Sequence, residues 1–199
     1  MDELTSANVK ATFYVDVGKL TNTYSINAIR RAFKLGHTIG LMKTWSNNAI
    51  QYLDSNNLNL FYQSATRVLA NVTGVYPMLA FLSSSDYNAT DLDAIKNANM
   101  IPVGYSLDTL DWNLTLANSS YTDQRAFVVN NVAQVLNQDF QLNVQDVSSY
   151  ITIQQDGLEW SANAIQGIVS AIRSSNFSVI GMGECIGVNQ TYIPVGNVL

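Results

Sequence analysis

Val9-Lys10-Ala11-Thr12-Phe13-Tyr14-Val15-Asp16 is followed by apolar residues at helical spacing (Ile26, Ile29, Phe33). Gly36-His37-Thr38-Ile39-Gly40-Leu41-Met42-Lys43-Thr44 comes next. The first run is rich in β-branched and aromatic residues and reads as a strand over residues 9–16. Residues 25–35 read as a helix, and Gly36 suits the left-handed position that ends one. Residues 38–44 read as a second strand. A strand, a helix and a strand in so short a span form a βαβ unit, which commits the chain to an α/β class.

The same alternation continues outward. A helix is expected over 58–71, stopped by Gly74 and Pro77, and then a short strand over 78–82. Thr90-Asp91-Leu92-Asp93 has the form of a capping box and opens a helix reaching about residue 98. Residues 100–107 read as a strand, 122–140 as a long helix, 150–155 as a strand, 161–173 as a helix and 177–183 as a last strand. Near-continuous apolar strands alternating with helices imply a parallel sheet covered by helices. Right-handed crossovers leave either a barrel or a doubly wound open sheet, with chemistry at the C-terminal strand ends in both. Those ends carry Asp16, residues 43–47, 82–86 and 108–112, Gln155, Asp156 and Glu184.

The chain has 199 residues, which suits one domain over 1–199 with a sizeable core. Charged residues make up 13%, about half the usual share of about 25%, and Asn, Gln, Ser and Thr fill the gap. That composition fits a secreted or wall-associated protein. A net charge of −5 opposes a nucleic-acid partner, because phosphate binding needs surplus Lys and Arg. No apolar run approaches the length of a membrane span. Six Asn-x-Ser/Thr sequons stand at Asn71, Asn88, Asn113, Asn118, Asn176 and Asn189, a mild excess over the roughly three or four expected by chance. They favour a eukaryotic secretory route. The start, Met1-Asp2-Glu3-Leu4, has no leader character, so the expectation is that the natural N-terminus lies upstream. Cys185 is the one cysteine and reads as a buried small hydrophobe, or as half of a disulfide with an upstream partner.

Several stretches, in order, resemble the NodB-like polysaccharide deacetylases of carbohydrate esterase family four. Asn8-Val9-Lys10-Ala11-Thr12-Phe13-Tyr14-Val15 is similar to the family's second strand. Gly36-His37-Thr38-Ile39, followed by Lys43-Thr44-Trp45-Ser46-Asn47, resembles the second motif, Gly-His-x-Ile-x-x-His-Thr-Trp-Ser-His. Asp108-Thr109-Leu110-Asp111-Trp112 matches the fourth motif, Asp-Ser/Thr-x-Asp-Trp. Ile151-Thr152-Ile153-Gln154-Gln155-Asp156 and Glu184-Cys185-Ile186-Gly187 resemble the fifth motif and a C-terminal stretch of fungal chitin deacetylases. The resemblance implies a distorted (β/α) barrel, incomplete here because its first strand is missing. It also implies an activity, the metal-dependent hydrolysis of an acetamide C–N bond.

In that family an aspartate and two histidines hold a divalent metal such as zinc, a second aspartate is the base, and a fifth-motif histidine protonates the leaving amine. The chemistry needs them: an amide resists water at neutral pH without an activated nucleophile and an acid for nitrogen. A catalytic metal needs about three protein ligands and an open position. By the resemblance, Lys43 and Asn47 stand where the two histidine ligands belong, and His37 is the only histidine in the chain. An ammonium has donors and no lone pair, so it repels a cation. The first motif, Thr-Phe-Asp-Asp-Gly, is expected upstream of Met1. The third, Arg-Pro-Pro-Tyr-Gly, is replaced by Phe81-Leu82-Ser83-Ser84-Ser85, and Gln155 replaces the acid histidine.

The expectation is therefore a homologue without catalytic residues, metal or other cofactor. It would retain binding to chitin or a related cell-wall polysaccharide, or a structural role in the wall. Asp108, Asp111, Trp112, Gln155 and Asp156 are the candidate substrate-binding residues, with the Trp112 ring offering an apolar face to a pyranose. Lys43 is either a solvated loop lysine or a cation in the vacated metal position that neutralises acids such as Asp156. Trp45 and Trp160 read as packing residues, His37 as a ring satisfying local backbone groups, and the serine run at 83–85 as a turn. Two alternatives stand beside this expectation: a fragment of an active metal-dependent chitin deacetylase, and a truncated reading frame without function.

Overall fold

The computed structural model describes residues 1–43, 54–83, 87–113, 118–142 and 148–196. The chain forms two compact units, one of residues 10–104 and 181–199, the other of Met1–Val9 and Tyr105–Ile180. Among the described residues no helix is long and apolar enough to cross a membrane.

The larger unit is built on four parallel strands, β1 (Thr12–Val15), β2 (Thr38–Met42), β4 (Leu79–Phe81) and β5 (Ile101–Val103), in the order β1-β2-β4-β5. Helix α2 (Thr23–Lys34) links β1 to β2; Asn22 caps it by accepting the Ser25 N–H, and Gly36 follows at φ +80° as its sequence position predicts. Helix α3 (Ser55–Thr73) is capped by Asp54 and ends at Gly74, φ +84°. It buries Leu58, Tyr62, Ala65 and Leu69, one stripe at helical spacing. Helix α4 (Ala89–Asn97) starts with a capping box, formed by Asn88 and Asp91 rather than by Thr90 and Asp93. Ile39, Leu41, Leu79 and Ile95 are fully buried between sheet and helices. Gly40 is a close-approach position: a Cβ there would lie 2.6 Å from the Tyr14 ring and 3.0 Å from the Leu79 carbonyl oxygen.

Two short strands of this unit escape sequence periodicity. β3 (Val75–Pro77) pairs antiparallel with β8 (Tyr192–Pro194). Each is three residues long and ends in proline, which cannot donate to a ladder, so neither carries an alternating pattern long enough to read. Tyr192 then ties this pair to the main sheet, its hydroxyl accepting the Ile39 N–H at 2.5 Å.

The second unit packs α5 (Tyr121–Leu142) on α6 (Glu159–Ser174). Leu107, Val128, Val132, Leu136, Ala164 and Ile168 form its core, with Tyr150, Trp160 and Phe177 half-buried against it. A parallel pair, β6 (Leu107–Asp108) and β7 (Thr152–Ile153), lies beside them in register Leu107↔Thr152 and Asp108↔Ile153. Helix α1 (Asp2–Ser6) is fastened to α6 by Gln166 donating to Glu3 at 2.6 Å and Arg173 donating to the Ala7 carbonyl at 3.2 Å.

Three strand expectations need correction. The strand expected over 100–107 divides around Gly104 into β5 and β6, which belong to different units, and the strands among the described residues form three separate sheets. The strand expected over 150–155 shortens to two residues. No strand forms over 177–183: Asn176 turns the chain at φ +62°, Phe177 packs inward, Val179 and Ile180 are exposed, and Met182–Cys185 is a helical turn, α7. An apolar run adopts strand structure only with a neighbour to pair with, and here none is supplied.

Candidate functional site

In the second unit, parallel pairing of β6 with β7 brings the fourth-motif residues to the fifth-motif residues. Asp108 ends β6, and Leu110 turns the chain at φ +57°. The Asp108 carboxylate holds that turn with both oxygens: Oδ1 accepts the Leu110 N–H at 2.8 Å and Oδ2 accepts the Trp112 indole N–H at 3.0 Å. From α5, Asn131 donates to the Asp108 carbonyl at 2.7 Å. Thr109 is fully buried and donates its hydroxyl to the Ile153 carbonyl.

Asp111 points inward and is 1% exposed. Its Oδ2 accepts the Gln155 N–H at 2.6 Å, and its carbonyl accepts the Trp160 indole N–H at 2.9 Å. Trp112, one residue on, is 51% exposed with its polar edge already occupied by Asp108. An indole so held offers its faces, not its N–H, to a ligand. Gln155 and Asp156, just past β7, are both exposed. The fourth-motif residues thus make two separate sets of hydrogen bonds, Asp108 with Leu110 and Trp112, and Asp111 with Gln155 and Trp160. Trp160 is a packing residue, half-buried against the core, with an added hydrogen bond.

In the larger unit, Lys43 follows β2 and is buried, with its Nζ 2.5 Å from Asp91 Oδ1. Lys43 is therefore not a solvated loop lysine, and its ammonium meets the Asp91 carboxylate of α4. Asp91 Oδ2 accepts the Asn88 N–H at 3.2 Å, so one side chain closes the capping box and neutralises the lysine together. Tyr62 of α3 is buried nearby; burial, then the Asp91 charge, pushes its hydroxyl pKa well above the ordinary tyrosine range. Sequence reading missed Asp91 in both roles, since it placed the capping pair at Thr90 and Asp93 and nothing links residue 91 to residue 43.

Asn47, Trp45, Ser84 and Ser85 lie outside the described residues. His37 is buried, and its Nδ1 accepts the N–H of Ala11, 26 residues earlier on the neighbouring β-segment. Its ring meets Phe13 edge-on at 5.5 Å. Burial, and secondarily the Lys10 ammonium, lowers its pKa, so the neutral ring is the folded form. Cys185 is a free, half-buried thiol in α7.

The described residues do not fit a divalent metal. Lys43 brings a buried positive charge already paired with a carboxylate. Among the described residues no group of three or more His, Cys, Asp and Glu side chains is gathered to hold an ion.

No family model matches the chain. It is 25% identical over 181 residues to the polysaccharide deacetylase-like protein YheN of Bacillus subtilis (strain 168); the match covers 89% of this chain and 59% of that relative, so the chain spans less than two thirds of its length. Among solved structures it superimposes on the chitin deacetylase of the fungal pathogen Colletotrichum lindemuthianum with a TM-score of 0.80 and 20% identity, covering 96% of this chain and 82% of that one. BA3943 of Bacillus anthracis, a pseudoenzyme of the same esterase family, superimposes with a TM-score of 0.71 and 12% identity, over 92% and 57% of the two chains. The α/β fold with its parallel sheet is the one these structures share.

Proposed function

We propose that this chain, a NodB-like polysaccharide deacetylase homologue by sequence and fold, is a secreted, fungal-type, glycosylated protein that binds a chitin-like polymer and does not hydrolyse it. The observation that carries the loss of hydrolysis is the buried Lys43–Asp91 pair. Where the active family needs an imidazole lone pair, this chain has an ammonium without one. Gln155 adds a second loss, because an amide side chain cannot protonate a leaving amine. A pseudoenzyme on the same fold, BA3943, is a precedent for such loss.

Support for retained binding comes from the fourth-motif group. Trp112 presents an exposed ring fixed by Asp108, and Asp111 is spent on the backbone of Gln155. A rigid aromatic face with polar groups at its edge suits a pyranose, whose axial C–H face is apolar and whose rim is hydroxylated. The fungal and wall-associated parts of the proposal rest on the Glu184-Cys185-Ile186-Gly187 stretch, the sequons and the fold shared with a fungal chitin deacetylase.

Two measurements test it. Acetate release from acetylated chitooligosaccharides, abolished by a chelator, would sink the loss of hydrolysis; the expected result is none above the buffer rate. Retention on insoluble chitin that falls when Trp112 is changed to Ala is expected for the binding role. Equal retention of both proteins would remove the Trp112 face from the proposal.

A further inference from the structure

We infer that Asn176 is the acceptor of an N-linked glycan, an assignment that rests on the secretory route proposed above. A sequon is occupied in the finished protein where the fold can carry a bulky polar group on its surface without losing packing or the hydrogen bonds of the acceptor and hydroxyl side chains. The structure separates the sequons within the described residues on those grounds.

Asn71 and Thr73 lie inside α3, and the Thr73 hydroxyl is bound to the Leu69 and Val75 carbonyls. Two residues along a helix are about 200° apart around its axis, so carboxamide and hydroxyl also face different ways. Asn88 is the N-cap of α4, its carboxamide oxygen bound to the Asp91 N–H. The Asn118 sequon ends at Ser120, whose hydroxyl is bound to Asp123 at 2.6 Å. The Asn113 sequon runs outside the described residues. Asn189 is exposed, but Thr191, the third residue of its sequon, is half-buried.

Asn176-Phe177-Ser178 differs from all of these. Asn176 stands at φ +62° just past α6, a left-handed position that asparagine tolerates. Phe177 is the anchor: it packs on the unit's core and meets the Tyr150 ring edge-on at 5.9 Å. With the middle residue inward, Asn176 and Ser178 are both exposed on the outside. Among the described residues neither side chain is engaged in a hydrogen bond. Val179 and Ile180, at 37% and 46% exposure, follow directly and give a glycan an apolar strip to cover.

The reaction attaches Asn176 Nδ2 to the anomeric carbon of the first sugar of a lipid-pyrophosphate-linked oligosaccharide. The sugar–phosphate C–O bond breaks, the lipid pyrophosphate leaves with the electron pair, and the displaced amide proton passes to the transferase's base. Both the donor and the transferase come from the secretory pathway.

The test is secretion of the full 199-residue chain behind a cleavable leader from a eukaryotic host, with peptide mass mapping before and after enzymatic release of N-glycans in heavy-oxygen water. The peptide containing Asn176 should carry hexose and N-acetylhexosamine mass, and should gain the heavy-oxygen aspartate on release. Ser178→Ala should abolish the modification and Ser178→Thr should keep it, with neither touching the Phe177 anchor. An unmodified Asn176 peptide in folded, secreted protein would overturn the assignment, as would unchanged occupancy in Ser178→Ala. Chitin retention and acetate release on the same preparation report on the proposed function separately. Their failure leaves the peptide masses as they are.

Discussion

Lys43 Nζ lies 2.5 Å from Asp91 Oδ1, with the two side chains 6% and 3% exposed. The pair joins the residue after β2 to the first turn of α4, and Asp91 also completes the capping box with Asn88. Desolvating both charges is costly, and their attraction offsets that cost only while both are present.

Removing one partner should therefore hurt far more than removing both. Lys43→Met and Asp91→Asn are each expected to lower unfolding stability by about 3–5 kcal/mol. The double variant Lys43→Met with Asp91→Leu should lose clearly less than the sum, short of the lost cap, worth about 1 kcal/mol. Urea titration measures all three. Additive losses would mean the two charges do not compensate each other.

Asp108 sets the orientation of Trp112. Asp108→Ala should free the indole, shift its fluorescence and weaken chitin retention, while Trp112→Ala should weaken retention with a stability change within about 0.5 kcal/mol. Fluorescence unchanged in Asp108→Ala would remove the positioning role. Asp108→Asn keeps one acceptor for two N–H donors, so its retention should fall between the parent and Asp108→Ala.

Buried and neutral, His37 makes stability depend on pH. Its folded pKa lies below the ordinary 6.5, so the unfolded chain takes up the proton first as pH falls. Stability from this group is complete above about 6.5 and is lost progressively below it. His37→Gln keeps an acceptor for the Ala11 N–H and does not titrate. Its melting temperature should fall less than the parent's between about pH 7.5 and about pH 5.5. Equal falls would place the pH sensitivity elsewhere.

Gly40 gives a steric test of the sheet. A methyl group there meets the Tyr14 ring at 2.6 Å, and Tyr14 is itself held against Phe81 at 5.3 Å. Gly40→Ala should cost about 1–3 kcal/mol, the usual range for overpacking. Recovery by Tyr14→Leu in the double variant would trace the cost to that contact.

Sequence alone determined the elements whose pattern is long: α2, α3, α5 and α6, the parallel β1 and β2, and the glycine stops at Gly36 and Gly74. Periodicity is a local signal, and a helix of several turns repeats it often enough to be read. The Asp108–Trp112 bond is equally local, closing within five residues, whereas Asp111 reaches Gln155 and Trp160 more than forty residues on. Tertiary structure alone decided what depends on remote partners. Nothing local says that Lys43 meets Asp91, that Ala11 donates to His37, or that Val75–Pro77 pairs with Tyr192–Pro194. Nor could an apolar run say that residues 100–107 divide while residues 177–183 stay unpaired, because a strand is made by its neighbour. Burial finished the account, turning a loop lysine into half of a buried ion pair.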